Sequence, residues 1–248
     1  MIQGDGPRAP ETREEVEDRL NEIRSTRGYL LPHHGLLAVA APALLDTYDA
    51  NYSALTLANR YLGEHAKEFV WLTVLVSTRE AIATHHIRRW RDSGGSDRDL
   101  ELALKLAAYA QGVGVFPFVD ENWKAHLPKY DAERVYREGI SGITEGTEIS
   151  DGWIEIALAA THTCHRQWWA FEAHVKGAYE AGISEGELAE ALTLTMFPGG
   201  VPNFVEACER WRHLILAGAV EASEPYRVWA NTPDQGGYAD PEEGPEQG

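Results

Sequence analysis

The stretch HVKGAYEAGISEGELAEAL, residues 174–192, decides the fold. It begins inside a helix, stops at Gly182 and restarts at Ser184. Gly182 is the residue type best suited to a left-handed helix end. Ser184 followed by Glu187 is the Ser-x-x-Glu pattern of a capping box. Beyond it, Leu188, Ala191, Leu192 and Thr195 keep the three-and-four spacing of one buried helical face. The stretch therefore predicts a helix carrying His174, a tight turn and a second helix.

The same pattern occurs 88 residues earlier without a gap. His86 pairs with His174, Gly94 with Gly182, Ser96 with Ser184 and Leu100 with Leu188. The register continues through Ala103/Ala191, Leu104/Leu192, Leu106/Leu194, Val113/Val201, Phe116/Phe204 and Trp123/Trp211. Shared Gly, His and Trp in one register mark an internal repeat rather than a coincidence of Leu and Ala. Each copy breaks after its second helix, at YAQGVG (109–114) or FPGGVP (197–202). In the second copy a final helix then carries Phe204, Cys208, Trp211 and Ile215 on one side. No alternating strand pattern stands out, so the fold reads as all-α, with two tandem helical modules. The expected organisation is an N-terminal tail and helical lead-in over 1–60, a divergent first module over 61–127, a linker and second module over 128–220, and an acidic Gly/Pro-rich tail over 221–248.

The chain has 248 residues and a net charge of −17. Such a surface repels nucleic acid and anionic membranes, and neither is expected as a partner. The segment NTPDQGGYADPEEGPEQG, 231–248, carries five carboxylates and no Lys or Arg, and reads as disordered or as an arm on a neighbour. The two cysteines, Cys164 and Cys208, form no C-x-x-C pair and suit a reducing compartment. The first twenty residues lack the basic start and apolar run of a signal peptide. The apolar run LLAVAAPALL, 36–45, is too short to cross a bilayer. The expectation is a soluble cytoplasmic protein.

The module around HVKGAYEAGISEGELAEAL resembles the carboxymuconolactone decarboxylase and alkylhydroperoxidase family, across residues 64–124 and 152–216. The redox branch of that family carries E-x11-C-x-x-C-x-x-x-H. In this sequence the glutamate of that frame is Glu155 and the histidine is His174, while Gln167 and Ala170 hold the cysteine positions. Thiol peroxidase chemistry needs an attacking and a resolving thiol, and Gln and Ala supply neither. The resemblance then implies the decarboxylase branch, whose members use no metal or organic cofactor. It also implies a homotrimer, since single-module members assemble as hexamers built from dimers.

Chemistry sets conditions on such a site. Loss of CO2 from a β-keto or β,γ-unsaturated acid requires a stabilised enolate and a proton delivered to carbon. His174 is the candidate proton donor, and Glu155 the candidate base or orienting carboxylate. On one straight helix they would lie about 28 Å apart, so they meet only if the chain turns near THTCHR, 161–166. Thr161 or Thr163 is the candidate cap for the helix that follows. Gln167, Ala170 and His174 would then share one face, with small Ala170 leaving room for a ligand. Arg166, Arg79 (opposite Gln167 in the repeat) and Lys176 are the candidate anion-binding cations. Trp169 and His86 complete the candidate substrate-binding set.

In the first copy Lys67 takes the glutamate slot, with Glu68 beside it, while Arg79 and Ile82 take the cysteine slots. Either the second copy alone is active, the reading preferred here, or Arg79 reaches a composite site between the copies. Plainer alternatives stand beside these. His174 is also readable as a core histidine, Glu155 as a surface ion pair, and Trp168, Trp169 and Phe171 as core. His162 and His165, with the pairs His33–His34 and His85–His86, lack convincing metal-ligand spacing, and no metal is assigned. The function expected is a cofactor-free lyase, most simply a decarboxylase, acting on a small carboxylate-bearing cyclic or aromatic-derived metabolite. Isomerisation, lactone hydrolysis or cofactor-free oxygen chemistry at the same site is the alternative, as is a non-catalytic binding or assembly module.

Overall fold

A computed structural model describes residues 8–236, which form two compact units dividing after Ala58. That division lies close to the expected end of the lead-in at residue 60. Among the described residues there are thirteen α-helices and no strand.

The first unit holds α1 (Arg13–Arg27), α2 (Pro32–Ala40) and α3 (Pro42–Tyr52), with a π turn at Ser53–Leu57. Thr12 and Glu15 cap α1 reciprocally, and Gly28 ends it at a φ of 77°. Ile23, Ala38 and Leu45 form its small core. His33 and His34 belong to this unit, where both rings lie against Tyr48. Burial and the Arg27 charge push His34 down to about 4.

The second unit contains the remaining helices: α4 (Glu64–Ser77), α5 (His85–Asp92), α6 (Asp97–Gln111), α7 (Val115–Trp123), α8 (Ala132–Thr144), α9 (Asp151–Cys164), α10 (Trp168–Glu180), α11 (Glu185–Thr193), α12 (Val201–Leu216) and α13 (Glu224–Asn231). Helices α4 and α9 pack against each other at its centre. Both are buried nearly all round, from Ala66 to Leu75 in α4 and from Ile154 to Thr163 in α9. Such helices belong to the interior of a core rather than its surface. Helix α6 lies on α4, α8 and α9, while α10, α11 and α12 surround α9.

The sequence punctuation appears at the expected helix ends. Gly94 and Gly182 sit at φ 96° and 74°, and Ile183 N–H donates to Ala178 O, closing the end of α10. Ser96 and Ser184 cap α6 and α11. Leu188, Ala191, Leu192 and Thr195 are buried as their spacing predicts.

Three expectations change. The segment from 128, read as a linker, contains α8, whose Tyr136 is fully buried. The segment read as a tail from 221 begins with α13, whose Tyr226 and Trp229 rings lie 5.3 and 5.6 Å from the Trp211 ring. The rest of that tail, from 237, is outside the described residues. The third change concerns the longest apolar stretch. Asp97–Trp123, which α6 and α7 share with a turn between them, is long and apolar enough by length and composition to cross a membrane, whereas 36–45 is not. Here its Leu102, Ala103, Leu106, Ala107 and Ala110 are buried within the unit.

Candidate active site

Helix α9 runs without interruption to Cys164, and the chain reverses over the next three residues. Arg166 supports the reversal at φ 55°, a left-handed conformation that costs a non-glycine residue on the order of 1 kcal/mol. Gln167 N–H closes the turn onto His162 O at 3.0 Å. Thr161 and Thr163 do not cap α10. Their hydroxyls donate back to Ala157 O and Ala159 O inside α9, and Gln167 occupies the N-cap position without a side-chain cap bond. The turn therefore falls at 165–167, slightly later than expected. It brings α10 back along α9, so residues 19 apart in sequence meet.

Glu155 and His174 meet there. His174 Nδ1 lies 2.7 Å from Glu155 Oε2. The other carboxylate oxygen accepts from Arg137 Nη1 at 3.0 Å. Arg137 is fixed in turn by Glu133 Oε1 at 3.0 Å and Ala173 O at 2.8 Å. Lys176 Nζ reaches Glu133 Oε2 at 3.3 Å, which makes it a support for this network. Three of the five guanidinium N–H groups of Arg137 are thus occupied, leaving two for an incoming group.

His174 is fully buried, and its second nitrogen is engaged. Its Nε2 lies 2.8 Å from the Tyr136 hydroxyl, which lies 2.8 Å from His162 Nε2. His162 Nδ1 then lies 2.7 Å from Gln167 Oε1. The two imidazoles stack at 5.3 Å and 12°. Tyr136 is held by Tyr109, which stacks on it at 5.5 Å, and by the edges of Phe116 and Trp169. Burial, with the Glu155 charge adding to it, pushes the Tyr136 hydroxyl far up, so it remains protonated. Burial, reinforced by His174, pushes His162 down to about 3, so it is neutral near pH 7.

A cleft of about 390 Å³ opens between α8, α9 and α10. Glu155 and Arg137 line it with Ile140, Ile154 and Gly177, while Asp151 and Glu180 add two more carboxylates. His174 is not among its lining residues. Glu155 is therefore the group that faces the cleft, and His174 stands behind it.

Several sequence-derived assignments move accordingly. Arg166 is exposed, ion-paired to Glu206 and hydrogen-bonded to Asn203, with its guanidinium over Trp168. Arg79 sits exposed in the α4–α5 turn at φ 62°, which makes it the counterpart of Arg166 rather than of Gln167. Neither lines the cleft, so Arg79 forms no composite site there. Ala170 is buried in the hydrophobic core, and the room expected beside it is filled. Gln167 contacts His162, and Trp169 packs on Tyr136. His165 turns away from His162 towards Ser77 and Gln111. Among the described residues no group of three His, Cys, Asp or Glu side chains is placed to share a metal. Burial pushes the Cys164 and Cys208 thiols up, to about 12 and about 11, so neither carries thiolate character.

His86 makes a separate, similar contact. Its Nδ1 lies 2.6 Å from Glu68 Oε2, and Arg89 Nε lies 3.0 Å from Glu68 Oε1. Glu68, not Lys67, thus makes the contact to His86 that Glu155 makes to His174. The spacing is 18 residues there and 19 between Glu155 and His174, so the offset of 88 relates the two histidines but not the two glutamates. Lys67 instead donates to Asn59 Oδ1 at 3.0 Å.

Sequence reasoning missed Tyr136, Arg137 and the linking role of His162. The signal for the first two was a buried stripe at Ala132, Tyr136 and Ile140 within AERVYREGISGIT. Arg137 follows the stripe by one residue and so lies at the edge of the buried face.

Two outcomes follow from this geometry. A Cβ on Gly177 would stand 2.2 Å from Glu155 Oε2. Gly177→Ala gains about 1 kcal/mol of helix propensity. It also incurs an overpacking cost of about 1–3 kcal/mol. The variant should stay folded, while its crystal structure should show Glu155 displaced from His174. Acid sensitivity is the second outcome. Free histidine binds a proton near pH 6.5, but folded His162 does so only near 3. Below about pH 6.5 the unfolded chain therefore takes up more protons, and stability falls as pH falls. His34 and His85, both pushed down to about 4 chiefly by burial, act in the same direction. His162→Gln should make the stability profile shallower by up to about 1.4 kcal/mol per pH unit, measured by denaturant unfolding between about pH 6 and 4.

Residues 153–212 match the model of the Carboxymuconolactone decarboxylase family. No curated protein and no solved structure matches the chain. The matched stretch contains Glu155, His162, Gln167 and His174, while Tyr136 and Arg137 precede it. The matched stretch runs from α9 into α12 and contains the Glu155–His174 pair, so over these residues the chain is similar to the carboxymuconolactone decarboxylase family.

Proposed function

We propose that the second unit is a cofactor-free acid–base enzyme, most simply a decarboxylase of a small carboxylate-bearing metabolite. The single observation that carries this reading is a carboxylate, Glu155, held between Arg137 and His174 at the wall of an open cleft. The expected roles exchange. Glu155 handles the substrate proton, and His174 shares that proton from behind. Arg137, with two N–H groups to spare, takes the place expected of Arg166 or Arg79 as the anion-binding cation.

In this reading the substrate carboxylate docks on Arg137 and leaves as CO2. The C–C bonding pair passes into an adjacent carbonyl as an enolate. A proton shared by Glu155 and His174 then moves from Glu155 to the substrate carbon. General acid catalysis of this kind contributes about 10²–10⁴-fold. The Glu68–His86–Arg89 cluster supports a duplicated module whose first copy is scaffold.

A second reading follows from the cleft's charge. Asp151, Glu155 and Glu180 outnumber Arg137 around it, and such a lining disfavours an anion. The same pair would then shift a proton between two carbons of an uncharged substrate, an isomerisation.

Both readings are tested by screening small cyclic keto and unsaturated acids and ketones for CO2 release and for deuterium uptake from solvent. Glu155→Gln should lower turnover about 10²–10⁴-fold. Arg166→Ala and Arg79→Ala should leave it unchanged. Arg137→Lys should raise KM for a carboxylate substrate but not for an uncharged one. Full activity in Glu155→Gln would overturn both readings.

A further inference from the structure

Gln167, His162, Tyr136, His174 and Glu155 form one unbranched chain of contacts, each link between 2.7 and 2.8 Å. Each interior member has a limited set of protons, so the chain has a direction. A neutral histidine donates from one ring nitrogen and accepts at the other. A tyrosine hydroxyl donates one bond.

If the Gln167 amide presents its oxygen, His162 carries its proton on Nδ1 and its Nε2 accepts from Tyr136. The tyrosine oxygen then accepts from His174 Nε2–H, and a further proton is shared between His174 Nδ1 and Glu155. The Glu155–His174 pair holds two protons in this arrangement. If the amide presents its NH2 group instead, every bond reverses. His162 Nε2–H donates to Tyr136, Tyr136 donates to His174 Nε2, and His174 Nδ1–H donates to Glu155. The pair then holds one proton.

We infer that Gln167 is a positioning residue whose amide orientation, relayed through the His162 tautomer and the Tyr136 hydroxyl, sets whether the Glu155–His174 pair holds one proton or two. The functional weight of this inference rests on that pair being the working acid–base site; the contact chain itself does not. Gln167 is half-buried at the α9–α10 turn, whereas Tyr136, His162 and His174 are fully buried. The amide thus lies outside the buried ring cluster and can rotate without moving a ring.

Of the other ionisable groups around the chain, Arg137 bonds to one of its members, at Glu155 Oε1. Arg137, Glu133 and Lys176 form the network behind Glu155, and His165 bonds to Ser77 and Gln111. Helices α4, α6, α11 and α12 also pack on α9. Among their buried ionisable side chains, Glu68 faces His86, Lys67 donates to Asn59, and Glu190 accepts from the Tyr61 and Leu62 N–H groups. His162 itself stays neutral throughout, because burial disfavours its charged form.

The test is a ¹⁵N spectrum of the histidine rings in the full-length protein across a titration from about pH 5 to 9. As the Glu155–His174 pair loses its second proton, His162 should move its single proton from Nδ1 to Nε2. Its two nitrogens would exchange their N–H-type and lone-pair-type shifts at the same midpoint. Tyr136→Phe, which keeps the ring and removes the relay, should abolish that exchange. Gln167→Glu, which offers only acceptor oxygens when ionised, should hold the proton on Nδ1 throughout. A wild-type His162 that keeps one tautomer over the whole range overturns the inference, as does an exchange that survives in Tyr136→Phe. The readout needs no turnover, so the absence of catalytic activity would refute the proposed function and leave this result standing.

Discussion

The Glu155 carboxylate, held largely out of water on the central helix α9, is the constraint on which this arrangement depends. A carboxylate in that position is tolerated only with charged or hydrogen-bonding partners on both oxygens. Arg137 supplies one and His174 the other, and they come from different helices. Helix α8 must therefore dock on one side and α10 must fold back on the other. Gly177 shows how close that return is, since no side chain fits between α10 and the carboxylate. Removing either partner would leave charge stranded at the cleft wall, a loss of about 3–5 kcal/mol for a buried pair, and less here because Arg137 is partly exposed.

This constraint explains which parts of the site could be read from the sequence. Glu155 and His174 were identifiable because their spacing follows a family frame, and glycine and serine at the helix ends marked the turn after His174. The two Arg–turn positions were harder. Arg79 and Arg166 occupy left-handed positions usually marked by glycine or asparagine, and nothing in their residue type announces a turn. Tyr136 and Arg137 precede the stretch similar to the family, in a polar segment whose helical stripe of Ala132, Tyr136 and Ile140 was hidden among charges. The one-residue difference in the α4–α5 turn was also invisible in an ungapped comparison. It shifts the glutamate role from Lys67 to Glu68, because a carboxylate and not an ammonium satisfies His86.

Spacing alone does not show which of the two groups faces the cleft. A histidine in a family frame suggests the group that meets the substrate, yet His174 has both nitrogens engaged and no exposed surface. The contact chain through Tyr136 and His162 makes it a buried partner of Glu155. The Glu68–His86–Arg89 cluster repeats the carboxylate, imidazole and guanidinium.

The most direct measurement is a crystal structure with an unreactive analogue of a substrate that the protein turns over. The reacting carbon should lie about 3–3.5 Å from a Glu155 carboxylate oxygen, with His174 still behind it and Arg137 beside it. A reacting carbon bound elsewhere, beyond reach of Glu155, would contradict the account.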